Sequence, residues 1–339
     1  MKQLNTIAID LAKNVFQVHI NDSRGHKLSS RQVRRAQLLN YLIKQPVSLV
    51  AMEACGGAHY WAREILKLGH EVKIIHPAYV KPFVQLHKND QRDAAAIAEA
   101  AVRPSIPAVS VKSVEQMDLQ ALHRVRERVV KERTAIGNEL RGILLEAGVA
   151  LAQGSATLRT KVPEILADAD NGLSPRLRLL IQDLLEEWYQ RDERAQRYKE
   201  ELERVATTNP LCKLLLKLPG IGPINATLLV SHAGDAKHFK SGRHFSAYLG
   251  LVPKQHASGG KEQLDGISKH GNKHVRKQLV HGARSAYRSL LKNPEGSRLG
   301  RWVARMEGKH PNKIIVALAN KLARIVWAVL SKNATYQPN

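Results

Sequence analysis

The sequence predicts an α/β N-terminal domain on a mixed sheet, a long helical hairpin or coiled coil, and a mostly α-helical C-terminal domain carrying a helix-hairpin-helix. The expected boundaries are 1–108, 109–206 and 207–339. Three observations predict this. Short apolar runs alternate with amphipathic helical stretches in the first third, the pattern of a sheet with helices on its faces. Two long, charge-dense helical stretches follow. The last third is basic, apolar at helical spacing, and punctuated by Leu218-Pro219-Gly220-Ile221-Gly222-Pro223.

Taken in order, residues 4–10 read as a buried strand and 15–20 as an alternating one. Asn21-Asp22-Ser23-Arg24-Gly25 is a turn, so a hairpin leads into a third strand near 27–33. A helix over 36–45, a strand over 47–53, a helix over 58–69 and a strand over 71–76 follow. A helix from Asp90 to Val102 stops before Pro104. Ser113-Val114-Glu115-Gln116 fits a capping box opening a helix to about Glu146. Leu119, Leu122, Val125, Val129, Ile136, Leu140 and Ile143 keep helical spacing along it. Ser174-Pro175 opens another, to about Ala206, with Leu180, Leu184, Trp188, Tyr198 and Leu202 as its apolar stripe. Residues 149–173 read as a weakly patterned connection.

Charge narrows the function. The chain has 339 residues, 43% of them hydrophobic, which excludes wholesale disorder, and a formal net charge of +23. From Thr207 onward there are 22 Lys/Arg against 5 Asp/Glu, so the C-terminal third is the expected polyanion-binding surface. Two distant cysteines, Cys55 and Cys212, offer neither a zinc spacing nor a disulfide framework, which suits a reducing cytosol. The chain opens on a strand pattern rather than a signal peptide. No run is expected to approach the roughly 18 apolar residues that a membrane span needs.

Against this basic background four acids stand out. Asp10 ends Thr6-Ile7-Ala8-Ile9, Glu53 ends Leu49-Val50-Ala51-Met52, and Asp90 and Asp93 share a helix face three residues apart. Strand-end carboxylates lie where open α/β sheets place ligands. Carboxylates gathered closely are tolerated when a divalent cation neutralises them, and such a cation in a basic chain points to phosphodiester chemistry. Singly, each acid would read as a turn or helix-start residue; the set of four reads as a site. The glycines of 218–223 would let backbone N–H groups at Gly220 and Gly222 approach a phosphate, independent of sequence. Ser258-Gly259-Gly260-Lys261 puts a hydroxyl on an exposed, mobile loop, a nucleophile if its proton can be removed. Lys261, Lys269, Lys273, Arg276 and Lys277, the last three on a helix starting near Asn272, are expected to contact phosphates.

Together these motifs resemble the bacterial insertion-sequence transposases with an N-terminal RuvC-like DEDD domain and a C-terminal serine domain, a family that includes the Piv-type invertases and the bridge-RNA-guided recombinases. The marks are Ile9-Asp10-Leu11-Ala12-Lys13, Glu53-Ala54-Cys55-Gly56-Gly57, Lys88-Asn89-Asp90-Gln91-Arg92-Asp93-Ala94, Leu218-Pro219-Gly220-Ile221-Gly222, and Tyr248-Leu249-Gly250-Leu251-Val252-Pro253 followed by His256-Ala257-Ser258-Gly259-Gly260. The resemblance implies an RNase H/RuvC-like N-terminal fold. It implies that Asp10, Glu53, Asp90 and Asp93 bind Mg²⁺ and that Ser258 joins covalently to a DNA strand during exchange. It also implies homo-oligomers, a guide RNA encoded by the element so that base pairing reads the target, and a bacterial cytoplasmic location beside the nucleoid. The chain departs from the pattern at His256-Ala257, where members often carry an aromatic or a second hydroxyl, so the base for Ser258 is left open.

Other readings fit less well. A RuvC-like junction-resolving endonuclease would use the acids alone, with water as nucleophile. An actin-like kinase would follow its strand-end Asp with a glycine-containing phosphate loop, and here Leu11-Ala12-Lys13 follows. A non-catalytic scaffold would not need all four acids.

Overall fold

The computed structural model describes residues 4–84 and 89–338; Lys88, in the Lys88–Ala94 motif, lies outside them. Contacts divide the chain into two compact units, Met1–Val114 and Glu115–Asn339.

The first unit is a six-stranded mixed sheet in the order β3-β2-β1-β4-β5-β6. Its strands are β1 (Thr6–Asp10), β2 (Val15–Asn21), β3 (Lys27–Arg34), β4 (Leu49–Glu53), β5 (Glu71–Ile75) and β6 (Ala108–Val109). β1, β2 and β3 form antiparallel hairpins, β1, β4 and β5 run parallel, and β6 closes the edge antiparallel. Alternation along the strands splits the core between the two faces. On one face Ile7, Ile9, Phe16, Val18, Val50 and Met52 pack with α1 (Leu38–Leu42) and α2 (Ala58–Lys67). On the other, Ala8, Ala51 and Ile75 pack with α3 (Pro77–Val80) and α4 (Asp90–Ala101). The helix expected over 36–45 is shorter. A 3-10 turn at Arg35–Gln37 precedes α1, whose buried residues are Leu38 and Leu42.

The second unit opens with α5 (Val114–Glu146), α6 (Ser155–Ala167) and α7 (Pro175–Thr208). Ser174 caps α7, its Oγ accepting from the Leu177 N–H. The weakly patterned connection expected over 149–173 is wrong, because α6 fills it. Leu158 and Val162 share a buried core with Ile136, Leu140, Leu144, Ile181, Leu185 and Trp188, so three helices pack here rather than two. Gly137 makes room for α6: a Cβ there would sit 2.9 Å from Leu158 Cδ1. The stripe expected on α7 holds at Trp188 and Leu202, which are buried, and at Leu184, which packs partly buried; Leu180 is half exposed, and Ile181 and Leu185 turn inward beside it.

Then come α8 (Pro210–Leu215), α9 (Pro223–Ala233), α10 (Gly242–Tyr248), β7 (Pro253–Ser258), β8 (Lys261–Ile267), α11 (Lys273–Lys292), α12 (Arg298–Ala304) and α13 (Pro311–Lys332). Their core joins Phe245, Leu279, Ala283, Leu318, Leu322 and Val326. The Gly- and Lys-rich segment read as a loop is instead the antiparallel ribbon β7–β8. The expectation that no apolar run nears membrane length needs correcting too. α13 is long and apolar enough by composition, but half of that window is buried as a core helix against α10 and α11.

Candidate functional site

Three of the four acids converge. Asp10, Asp90 and Asp93 each offer a carboxylate oxygen, and these oxygens lie within 4.8 Å of one another. The sequence makes this happen through small residues. Asp10 shares a sheet face with Ala8, two positions back, and Ala8 and Ala51 lie under the alanine-rich face of α4 (Ala96, Ala98, Ala100 and Ala101). With alanines making up most of that face and Ile97 the one large buried side chain α4 contributes, helix and sheet approach closely. The first turn of α4 thereby delivers Asp90 and Asp93 beside the C-terminal end of β1. Asn89 fixes that turn: its side chain accepts from the Arg92 N–H at 2.8 Å.

Glu53 lies outside that trio. It ends β4, the parallel neighbour of β1, one step beyond the Ile9↔Met52 pair, and by strand alternation it shares the face of Ala51. Its charge is nevertheless felt locally. The Cys55 thiol is pushed up from its ordinary range by partial burial, then by the carboxylates of Glu53 and Asp10. An all-carboxylate oxygen set of this kind suits a hard divalent cation such as Mg²⁺. Asp10 and Asp93 are half-buried and Asp90 is exposed, so the trio is open to solvent.

Ser258 is the last residue of β7 and is exposed. It pairs with Lys261 across Gly259-Gly260, whose φ values of +55° and +77° make the tight two-residue hairpin turn that glycine favours. The hydroxyl therefore stands at the tip of a defined ribbon, not on a loose loop. On the same strand His256 meets Asp265 across the ribbon at 3.8 Å.

The ribbon's root is pinned by a close approach of two glycine-bearing segments. A Cβ on Gly250 would sit 2.0 Å from the His270 carbonyl oxygen, and one on Gly271 2.0 Å from that of Tyr248, so the two segments touch backbone to backbone. Ser268 N–H donates to Val252 O at 2.8 Å and Lys269 N–H to Gly250 O at 3.1 Å. Arg276 Nη1 donates to the carbonyls of Leu249 (3.2 Å) and His270 (3.0 Å). The paired glycines of Leu249-Gly250-Leu251 and His270-Gly271-Asn272 are the signal that could have revealed this clamp.

The predicted phosphate contacts sort into two groups. Arg276 is engaged with backbone, and Lys277 Nζ pairs with Glu127 at 2.9 Å. Lys261, Lys269 and Lys273 are exposed, and Asn272 caps α11 by accepting from the N–H groups of His274 and Val275. In the 218–223 turn, Gly220 (φ +77°) packs on the α11 backbone, where a Cβ would lie 2.2 Å from Gly282 O. Gly222 is exposed at the start of α9, with nothing near a Cβ.

A mixed sheet flanked by helices, with carboxylates gathered at the end of its first strand, is compatible with an RNase H-like, DEDD-type domain. Comparison narrows the class: residues 7–148 match the DEDD domain model of IS110-type transposases, and residues 212–298 match the transposase model of the IS116/IS110/IS902 family. The chain belongs to the IS110/IS116/IS902 family of transposases. It is 43% identical over 337 residues to a probable family 20 transposase of Pseudomonas aeruginosa, covering 99% of both chains. It is 43% identical to the transposase for insertion sequence element IS1111A of Coxiella burnetii, over 99% of this chain and 92% of that one. To the transposase for insertion sequence element IS1328 of Yersinia enterocolitica it is 40% identical over 99% of both.

Proposed function

We propose that this protein is a DNA transposase that cuts and rejoins strands through Ser258 and a Mg²⁺-binding set formed by Asp10, Glu53, Asp90 and Asp93. It works as a homo-oligomer, guided by a structured RNA encoded by its element, with base pairing rather than side chains choosing the target. The observation that supports this best is the convergence of Asp10, Asp90 and Asp93 to within 4.8 Å in a chain of net charge +23.

A bound divalent cation supplies charge neutralisation and Lewis-acid polarisation at a phosphate. The carboxylates hold it. The Ser258 Oγ forms a bond to the scissile phosphorus as the P–O bond to the departing strand breaks; the serine proton passes to solvent and the departing oxygen takes up a proton. The product is a phosphoserine ester whose energy is kept for rejoining, so no ATP is needed. The exposed Gly222, at the start of α9, and Lys261, Lys269 and Lys273 hold phosphates nearby in the same reaction.

The test is a reconstituted recombination assay with Ser258→Ala and Asp10→Ala, alongside trapping of a covalent protein–DNA adduct under denaturing conditions. Both variants should abolish exchange, and only Ser258→Ala should abolish an adduct without weakening metal binding. Full exchange by Ser258→Ala would end the serine mechanism. Omitting the transcript of the element's non-coding end should abolish exchange; retained exchange would remove the guide. A second reading, a RuvC-like endonuclease using water, draws on the fact that the carboxylate trio is complete within residues 10–93. Asp10-dependent cutting with no adduct at any time would establish it instead.

A further inference from the structure

α11 has no acidic residue in its 20 positions. One face is buried through Val275, Leu279, Gly282, Ala283, Ala286 and Leu290. On the other, His281, Arg284, Ser285, Arg288, Ser289 and Lys292 line an open hollow of about 360 Å³, and all six are exposed. A helix face kept only for solubility mixes both signs of charge; this one carries donors throughout. The ion pairs that α11 makes lie in its first turns, where His274 and Lys277 meet Glu127. Farther along, Arg284 reaches Asn312 at 3.5 Å, and no ion pair engages Arg284, Arg288 or Lys292 among the described residues.

We propose that the exposed face of α11 formed by His281, Arg284, Ser285, Arg288, Ser289 and Lys292 is a docking surface for the phosphate backbone of duplex DNA. The spacing fits. Arg284, Arg288 and Lys292 recur every four residues and span about 12 Å at 1.5 Å per residue. That length covers about three or four successive phosphates at 3.4 Å per strand. Ser285 and Ser289 add hydroxyl donors to phosphate oxygens between the cations. B-form DNA suits a helix better than A-form RNA, whose major groove is deep and narrow. Single-stranded RNA would call for a run of aromatic stacking platforms; the hollow offers no Phe, Tyr or Trp, only the His281 imidazole, and Tyr287 is turned against the core. The face carries no Asn or Gln fork for base edges, so it positions DNA without reading its sequence. The surface rests on the reading of this chain as a DNA transposase, but not on Ser258 or the carboxylates.

Binding of the full-length protein to a random-sequence 30-bp duplex, titrated across salt in metal-free buffer, separates the two ideas. Arg284→Gln/Arg288→Gln/Lys292→Gln should lower the slope of log K against log salt by about 2–3 and weaken binding about 10–100-fold at 0.15 M salt. A charge-matched control, Arg24→Gln/Lys27→Gln/Lys44→Gln on the first unit, should change affinity less than about threefold, because it removes the same charge without touching the α11 face. Ser285→Ala/Ser289→Ala, which keeps the charge, should cost about 2–5-fold through lost hydrogen bonds to charged oxygens. Unchanged melting temperatures exclude misfolding. Equal losses in both triple variants, or loss of RNA-hairpin binding with duplex DNA binding intact, would overturn the surface alone. A wild-type chain that binds no duplex DNA would overturn the surface and the transposase reading together.

Discussion

A methyl group on Gly220 would meet the Gly282 carbonyl oxygen at 2.2 Å, on a backbone whose φ of +77° L-residues rarely adopt. Gly220→Ala should therefore destabilise the second unit by about 2–4 kcal/mol, through strain plus forced separation of α11 from the turn. Gly222→Ala, two residues on and in open space, should change stability by less than about 0.5 kcal/mol. Thermal melts decide; equal losses would show that the turn tolerates no substitution for reasons other than contact. Both glycines stood out in the sequence as a possible phosphate turn. Only the structure shows that the first one's surroundings are protein, because a close approach between residues 62 positions apart leaves no local pattern. His123 gives a second residue-scale prediction. It is buried, its Nε2 is 3.1 Å from Thr227 Oγ1, and its pKa is pushed down to about 3, first by burial and then by His274, Arg126 and His232; Glu127 opposes this. The unfolded chain takes up this proton near pH 6.5 while the folded chain refuses it until near 3. Stability from this group is therefore fully present above 6.5 and lost as pH falls toward 3, by up to about 1.4 kcal/mol per pH unit. His123→Gln, which keeps a donor for Thr227, should flatten the fall in unfolding free energy between pH 6.5 and 5. An unchanged slope would assign the pH dependence to other groups.

At the scale of elements, Asp192 is where three helices are tied together. It lies buried on α7 and pairs with Arg133 of α5 at 2.7 Å and with Arg159 of α6. Burial works against its ionisation, but the hydrogen bonds from Arg159 and Arg133 outweigh it and hold the carboxyl below the usual range. Asp192→Asn should cost about 2–3 kcal/mol, less than a fully buried pair because Arg159 is largely exposed. With the folded pKa depressed, the carboxylate's contribution is present above its ordinary pKa and is lost as pH falls through the lowered value. The variant's deficit in denaturant midpoint should therefore persist at pH 7 and shrink below pH 4. A midpoint equal to wild type at pH 7 would mean that packing, not this carboxylate, holds α6. Why α6 was not legible follows from its composition. It has two buried apolar residues, Leu158 and Val162, and an internal Pro163, so no stripe repeats long enough to see. The β7–β8 ribbon escaped for the opposite reason. Nearly every residue in it is exposed, leaving no apolar–polar alternation, although the Gly259-Gly260 turn signal was plain. β1, β2, β4 and β5 were legible because each is short, carries buried apolar residues and is bounded by turn residues. β3, mostly polar with Val33 its one buried residue, showed only through the turn at 21–25, and the two-residue β6 left no pattern to read. α4 was legible because Asn89 and the Asp pair announce its start.

Across the whole molecule, the charge that matters to metal lies in one unit and the bulk of the cationic excess in the other. Asp10, Asp90 and Asp93 bring three carboxylates together in the first unit, where a bound cation would offset their like charge. That unit has its own two-sided core around the sheet, and the second has cores among α5–α7 and α8–α13. A ligand binding only the folded trio raises stability by RT ln(1 + [L]/Kd), about 2.7 kcal/mol at a hundredfold excess over Kd. Calorimetry of the full chain should therefore show Mg²⁺ or Mn²⁺ moving the transition of the first unit upward and leaving the remaining heat absorption in place. Asp93→Asn relieves one repulsion and removes one ligand together, so it should raise the metal-free transition while suppressing the metal-induced shift. A structural role for Asp93 alone could not produce both signs. The same scans with the α11 triple variant should keep the full metal shift, since its cations lie in the second unit. A metal response that survived Asp10→Asn and Asp93→Asn together would show that the ion binds elsewhere and would undo the assignment of this carboxylate cluster.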